Sequence, residues 1–228
     1  MLRKYKALRV LTLLFVLTFA ASFAFASEVD EVKVVQDENG YRLQVNGEDF
    51  FIKGMNWDFM PIGTTYTYSL WSQPDDIIKA ALDLEMPLLK SMGVNAIRQY
   101  VGVPARWIQY IYENYGIYTV INHAFGRYGV DMNGAYIPNT DYSDKEIQEA
   151  LLSQVRDMVE ELKDTPGILL WMLGNENNYG LFWDGAETEA LPGVPTKQEK
   201  RARHMYKLFN EAIKEIKDID TKRPVAMV

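Results

Sequence analysis

Glu176 stands immediately after Gly174 and Asn175, where the apolar run Ile168–Leu173 stops. A carboxylate at that point can exchange protons with a ligand, because it sits where a buried segment meets water. Asn175 beside it supplies a neutral donor and acceptor. Three other polar residues end short apolar segments in the same manner: Asn56, Arg98 and His123. A guanidinium that never loses its charge, a carboxylate that can, an imidazole and two amides then converge on one mouth. Each has an ordinary structural role when taken alone. Their shared placement at segment ends is what points to chemistry.

The elements that must position them follow from periodicity. Six consecutive apolar residues, with Pro166 and Gly167 before and Gly174 after, read as a strand buried on both faces, the kind found in parallel sheets. Upstream, residues 32–52 alternate in short segments around Asn46-Gly47, a strong hairpin signal, and feed a first core strand ending near Gly54, Met55 and Asn56. Helical spacing runs through Ile77, Ile78, Ala81, Leu82, Leu88, Leu89 and Met92, opened by Asp75 and Asp76 and closed by Gly93. Pro87 within it predicts a kink or a restarted turn near residues 85–87. Strands are expected at 95–100 and 118–122, with a helix at 104–115 between them that Gly116 stops. A further helix opens with a capping box, Ser143 with Glu146 three residues on, and turns Ile147, Ala150, Leu151, Val155, Met158, Val159 and Leu162 inward. A last helix spans 197–219, and residues 224–228 begin another strand.

Strand and helix therefore alternate four times with a fifth strand beginning, which means a parallel sheet. The fold class expected is α/β, the amino-terminal part of a TIM (β/α)8 barrel preceded by a short β-hairpin. A complete barrel takes roughly 250 residues, and its chemistry collects at the carboxyl ends of the strands. Two long connections, 124–142 and 177–196, follow strands at that end and carry Phe125, Tyr128, Tyr136, Tyr179, Phe182 and Trp183. Such aromatics either pack the loops or offer a wall on which a sugar ring stacks.

Composition limits the alternatives. Arg3, Lys4, Lys6 and Arg9 precede the apolar residues 10–19, and Ala24-Phe25-Ala26 precedes Ser27 as a small-x-small cleavage site. This predicts a secretory signal peptide at residues 1–26, a hairpin lead-in at 27–49 and a barrel segment over 50–228. The mature product is expected to be secreted or periplasmic, without a stable membrane span. Its formal charge of -7 becomes about -11 once the four basic residues of the leader are gone, and an acidic surface disfavours nucleic acid. With no Cys and only two histidines, His123 and His204, a transition-metal site has little to build on, so no metal and no cofactor is expected.

The segment Ile168–Leu173 continued by Gly174-Asn175-Glu176 resembles the fourth-strand motif of the clan of retaining glycoside hydrolases with (β/α)8 barrels. In that motif the Glu is the general acid/base. Asn95-Ala96-Ile97-Arg98 resembles the clan's second-strand motif, and residues 45–56 are similar to the start of the barrel in family 2, the β-galactosidase and β-glucuronidase group. The resemblance covers residues 45–228. It implies a two-carboxylate mechanism in which the groups lie roughly 5 to 5.5 Å apart. Glu176 would protonate the leaving oxygen and later deprotonate water. Asn175 would donate to the sugar 2-hydroxyl and Arg98 would hold the nucleophile ionised, with His123 and Asn56 touching ring hydroxyls and Trp57 acting as a stacking platform. The nucleophile, a second Glu at the end of a seventh strand, is expected beyond residue 228. The resemblance thus implies an exported glycosidase acting on a poly- or oligosaccharide, inactive as these 228 residues alone. A transglycosylase shares the same site, and a non-catalytic carbohydrate-binding barrel shares the fold.

Overall fold

The computed structural model describes residues 28–38, 40–65, 67–182 and 197–228. The expected signal peptide and its cleavage site, together with Trp183 and the rest of 183–196, lie outside the described residues.

The chain begins with three antiparallel strands, β1 (Val32–Asp37), β2 (Gly40–Val45) and β3 (Glu48–Asp49). Asn46 and Gly47 join the last two with φ of 50° and 85°. Two successive left-handed residues match the twist of the flanking strands, which is why Asn-Gly marked this turn.

The main sheet is built from β4 (Gly54–Asn56), β5 (Ala96–Tyr100), β6 (Tyr118–His123), β9 (Ile168–Leu173) and β10 (Val225–Met227). They run parallel in the order β10-β9-β6-β5-β4. Four helices connect them: α1 (Asp75–Ser91), α2 (Ala105–Tyr115), α3 (Lys145–Leu162) and α4 (Lys197–Ile219). Parallel neighbours need such crossovers, and the helices cover one face of the sheet. That face presents Ile97, Ile121, Trp171 and Leu173 to Leu82, Met86, Ile108, Ile111, Val155, Val159, Phe209 and Ile216 of the helices. Each such side chain taken from water contributes roughly 1.5–3 kcal/mol.

The other face divides by polarity. Towards the strand starts, Ala96, Tyr118, Val120 and Leu170 pack against Val32 and Val45, so the amino-terminal hairpin seals that end. The seal is pinned by buried Asp30, whose carboxylate accepts from Asn46 Nδ2 at 2.6 Å, Tyr112 Oη at 2.8 Å and Tyr118 Oη at 2.7 Å. Towards the strand ends the same face carries Arg98, Tyr100 and Asn122. The period of two along β5 and β6 places them there, above the apolar residues.

Three local expectations are corrected. Helix α1 runs unbroken from Asp75 to Ser91 through Pro87. Pro87 and Asp83 are exposed, so the carbonyl that loses its helical partner lies on the solvent-facing side of the helix, and the helix continues without a restart. The cap of α3 is Asp144, whose carboxylate accepts from Glu146 N at 2.8 Å and Ile147 N at 3.1 Å. Ser143 is taken up elsewhere, its hydroxyl donating to Asp141 at 2.7 Å. Finally, the connection 124–142 contains a second hairpin, β7 (Val130–Met132) and β8 (Ala135–Ile137), turned by Asn133 and Gly134 at φ 54° and 76°.

Candidate active site

The end of β9 is shaped by two backbone conformations. Gly174 has φ +88°, and a Cβ there would lie 2.8 Å from Val228 O and 2.9 Å from Asn177 Oδ1, so only glycine fits. Glu176 has φ +57°, a left-handed conformation that costs a non-glycine residue on the order of 1–3 kcal/mol and that concentrates at functional sites. Asn177 holds this turn. It is 4% exposed; its Oδ1 accepts from Asn175 N at 2.7 Å, and its Nδ2 donates to Phe125 O at 2.9 Å and Tyr142 Oη at 2.8 Å. Burial pushes the Tyr142 phenol up to about 12, so it stays a neutral partner. The carboxylate of Glu176 is left exposed at the mouth of the sheet.

Arg98 reaches across from β5. Its Nη2 donates to Asn175 Oδ1 at 3.0 Å and its Nε to Asn122 Oδ1 at 3.0 Å, while Asn122 Nδ2 donates to Gly174 O at 3.0 Å. The guanidinium thereby fixes both the strand end and the amide beside Glu176. Asn175 Nδ2 also donates to Tyr128 Oη at 2.7 Å, which draws the loop before β7 into the site. The Tyr100 ring lies 5.4 Å from the Arg98 guanidinium, an attractive cation–π distance. Burial and a hydrogen bond to Tyr128 raise the Tyr100 phenol above its ordinary value.

Of the residues singled out in the sequence, Glu176, Asn175 and Arg98 come together. Asn56 pairs in register with Arg98 across β4 and β5 and is exposed at the same end. His123 faces the other way. His123 is 8% exposed, its Nδ1 accepts from Phe125 N at 3.1 Å, and it borders a cavity shared with Gln154 and Met158 of α3. Trp57 is 7% exposed, packs against Trp71 and donates its indole N–H to Glu85 at 2.6 Å, and it lines a cavity at this end of the sheet with Asn56 and Tyr100. Asn122 and Asn177 are the members of the network that sequence reasoning passed over. The strand period carried the signal for Asn122, since Tyr118, Val120 and Asn122 share a face and His123 does not.

The His123 imidazole is pushed down to about 4 from an ordinary 6.5 by burial, with a hydrogen bond to Gln154 opposing. Above pH 6.5 the ring is neutral in both folded and unfolded chains and has no effect. Between about 6.5 and 4 the unfolded chain takes up a proton that the fold refuses, so stability falls with pH. The expected loss over that window is about 3 kcal/mol. Urea midpoints at pH 7 and 4.5 check it, and His123→Gln should lose visibly less than the wild-type chain.

A helix-covered parallel sheet, sealed at its amino-terminal end and polar at its carboxyl-terminal end, is the organisation of a TIM (β/α)8 barrel. The sequence matches the family described as Glycosyl hydrolases family 2, TIM barrel domain, over residues 35–228, and the chain belongs to that family. Among its relatives, a β-galactosidase of Leuconostoc mesenteroides is 28% identical over 151 residues, which are 65% of this chain and 13% of that protein. A β-galactosidase of Photobacterium profundum is 29% identical over 143 residues, 61% of this chain and 12% of that protein. The β-glucuronidase of Parabacteroides merdae superposes with a TM-score of 0.57 at 16% identity, over 86% of this chain and 20% of that one. β-Glucuronidase 3 of Bacteroides uniformis gives 0.56 at 18% identity with the same coverage, 86% and 20%. At these identities the structural likeness speaks for the fold. The chain spans about an eighth of the length of the relatives matched by sequence. Among the described residues, no group of three or more His, Cys, Asp or Glu is placed to hold a metal, and no helix is long and apolar enough to cross a membrane.

Proposed function

We propose that this chain carries the acid/base half of the active site of an exported, retaining glycoside hydrolase acting on a poly- or oligosaccharide. The observation that carries the reading is the hydrogen-bonded set Arg98, Asn175 and Asn122 beneath Glu176, at the carboxyl end of β9 in a family 2 barrel. Glu176 is exposed, within reach of a glycosidic oxygen entering the mouth, and it has the two protonation states that the two steps require. As an acid it protonates the leaving oxygen; as a base it takes the proton of the water that resolves the glycosyl intermediate. Asn175 spends its oxygen on Arg98 and one N–H on Tyr128, and its second N–H is the donor to the sugar 2-hydroxyl. The Nη1 of Arg98 donates to no group among the described residues and is the natural partner for the nucleophile's carboxylate.

That nucleophile is a Glu supplied by sequence following residue 228, consistent with the small share of its relatives that the chain spans. The basic and apolar leader supports export to the periplasm or the medium. The test is the configuration of the first product. Proton NMR of the longer gene product acting on an aryl glycoside is expected to show the retained anomer before mutarotation. Initial release of the inverted anomer would exclude the two-carboxylate covalent route.

A further inference from the structure

A cavity of about 290 Å³ opens at the carboxyl end of the sheet, between the segment that follows β4 and the end of β5. Arg98, Asn122 and Asn175 are not among its lining residues, whereas Tyr100, whose ring Arg98 stands over, is. Its volume lies near the lower end of the roughly 300–1,000 Å³ of small-molecule sites, enough for one sugar ring. Tyr68, Trp71 and buried Trp57 line it, and Tyr68 and Trp71 are only partly buried against the core, which leaves ring surface free. Gln99 forms its floor. Gln99 is 5% exposed, yet its carboxamide makes a single hydrogen bond, Nε2 to the carbonyl of its neighbour Arg98 at a long 3.4 Å. A buried amide with unmet hydrogen-bonding capacity that borders a cavity calls for a polar occupant. At the rim, Asn56 and Asp58 are exposed, and neither side chain is engaged by another described residue.

We propose that this cavity is a subsite for one neutral pyranose unit, an inference that rests on the glycosidase reading above. Partly exposed aromatic walls suit the apolar faces of a sugar ring. A floor amide offers one donor and one acceptor to adjacent hydroxyls, and the Asp58 carboxylate accepts from two more. The charge pattern makes the choice of substrate class. Asp58 is the carboxylate of the lining, and among the described residues no Lys, Arg or His lines the cavity, the Arg98 guanidinium standing on the Tyr100 ring, so a uronic acid would bring its carboxylate against a carboxylate. The ring of Tyr100, shared with the Arg98 network through its cation–π contact, makes the subsite continuous with the candidate catalytic centre. A saccharide bound with one unit here would extend past Tyr100 towards Glu176.

The test is a titration of the full isotope-labelled chain, followed by NMR, with methyl β-glucoside, methyl β-galactoside, methyl β-mannoside and methyl β-glucuronide. Saturable shifts of the Gln99 side-chain amide and the Trp71 indole N–H with at least one neutral glycoside are expected. The glucuronide should bind at least tenfold more weakly. Asp58→Asn, at an exposed position that does not endanger folding, should weaken the neutral sugar about tenfold, the cost of one charge-assisted hydrogen bond, and narrow the gap to the glucuronide. Shifts confined to Asn175 and Arg98, or equal binding of the glucuronide, would overturn the subsite and leave the glycosidase reading standing. Cavity binding in a gene product that hydrolyses no glycoside would do the reverse, upholding the subsite and removing the function proposed for the centre beside it.

Discussion

Glu176→Gln in the full-length gene product is expected to lower kcat/KM for a glycoside with a poor leaving group by about 10²- to 10⁴-fold, the usual contribution of a positioned proton donor. The variant keeps the shape of the side chain and removes its proton chemistry. Among the described residues, the carboxylates of the neighbouring cavities lie elsewhere: Asp131, Asp157 and Glu161 border the cavity on the helix side with His123, and Asp58 lines the cavity that Tyr100 also borders. An aryl glycoside whose leaving group needs no proton should still form the glycosyl intermediate in the variant. Turnover then stalls, because no base remains to activate water. Azide, a nucleophile that needs no deprotonation, should restore turnover and give a glycosyl azide of retained configuration. Activity that is unchanged, or that azide cannot restore with any activated substrate, would remove Glu176 from the acid/base role.

How much of this was legible in the sequence depends on the kind of signal. The strands β5, β6 and β9 and the helix α4 announce themselves through unbroken apolar runs or a long 3.6-residue period, so their positions follow from burial alone. Glu176 was legible because Gly174 ends such a run and the next residues must emerge into water. The orientation of single residues at strand ends was harder. His123 carries the more suggestive side chain, but strand parity turns it into the helix layer and gives the inner face to Asn122. Trp57 is a related case: its indole meets Glu85 and Trp71, which makes it a buried member of a cavity lining. These depend on tertiary packing that no local pattern encodes. The hairpin of β7 and β8 is a different case, because Asn133-Gly134 is the same turn signal that located Asn46-Gly47. Its flanking runs are only three residues each, too short to stand out as strands. Asn177 was hidden because its partners, Phe125 and Tyr142, lie more than thirty residues away in sequence.

The largest loss of stability is expected from Arg223→Ala. The Arg223 side chain is 0% exposed and its partner Asp220 3%, with Nη1 donating to Asp220 Oδ2 at 2.8 Å. The same guanidinium donates to Lys163 O at 2.7 Å, Thr165 O at 3.0 Å and Ile168 O at 3.0 Å. It therefore ties the end of α3 and the first residue of β9 to the turn that leads into β10. Asp220 in turn accepts from the Trp171 indole at 2.8 Å, halfway along the strand that presents Glu176. Truncation to Ala leaves a buried carboxylate without its counter-charge and removes the guanidinium donor of three carbonyls. Breaking a buried pair from one side costs about 3–5 kcal/mol, a large part of the roughly 5–15 kcal/mol that holds a domain together. Removing both charges in favour of apolar side chains spares the orphaned ion, so Arg223→Met with Asp220→Leu should cost less than Arg223→Ala alone. Urea denaturation of the two variants and the wild-type chain decides this by the order of the midpoints. A double variant less stable than Arg223→Ala would mean that the carbonyl bonds, rather than the buried charge, carry the anchorage of β9.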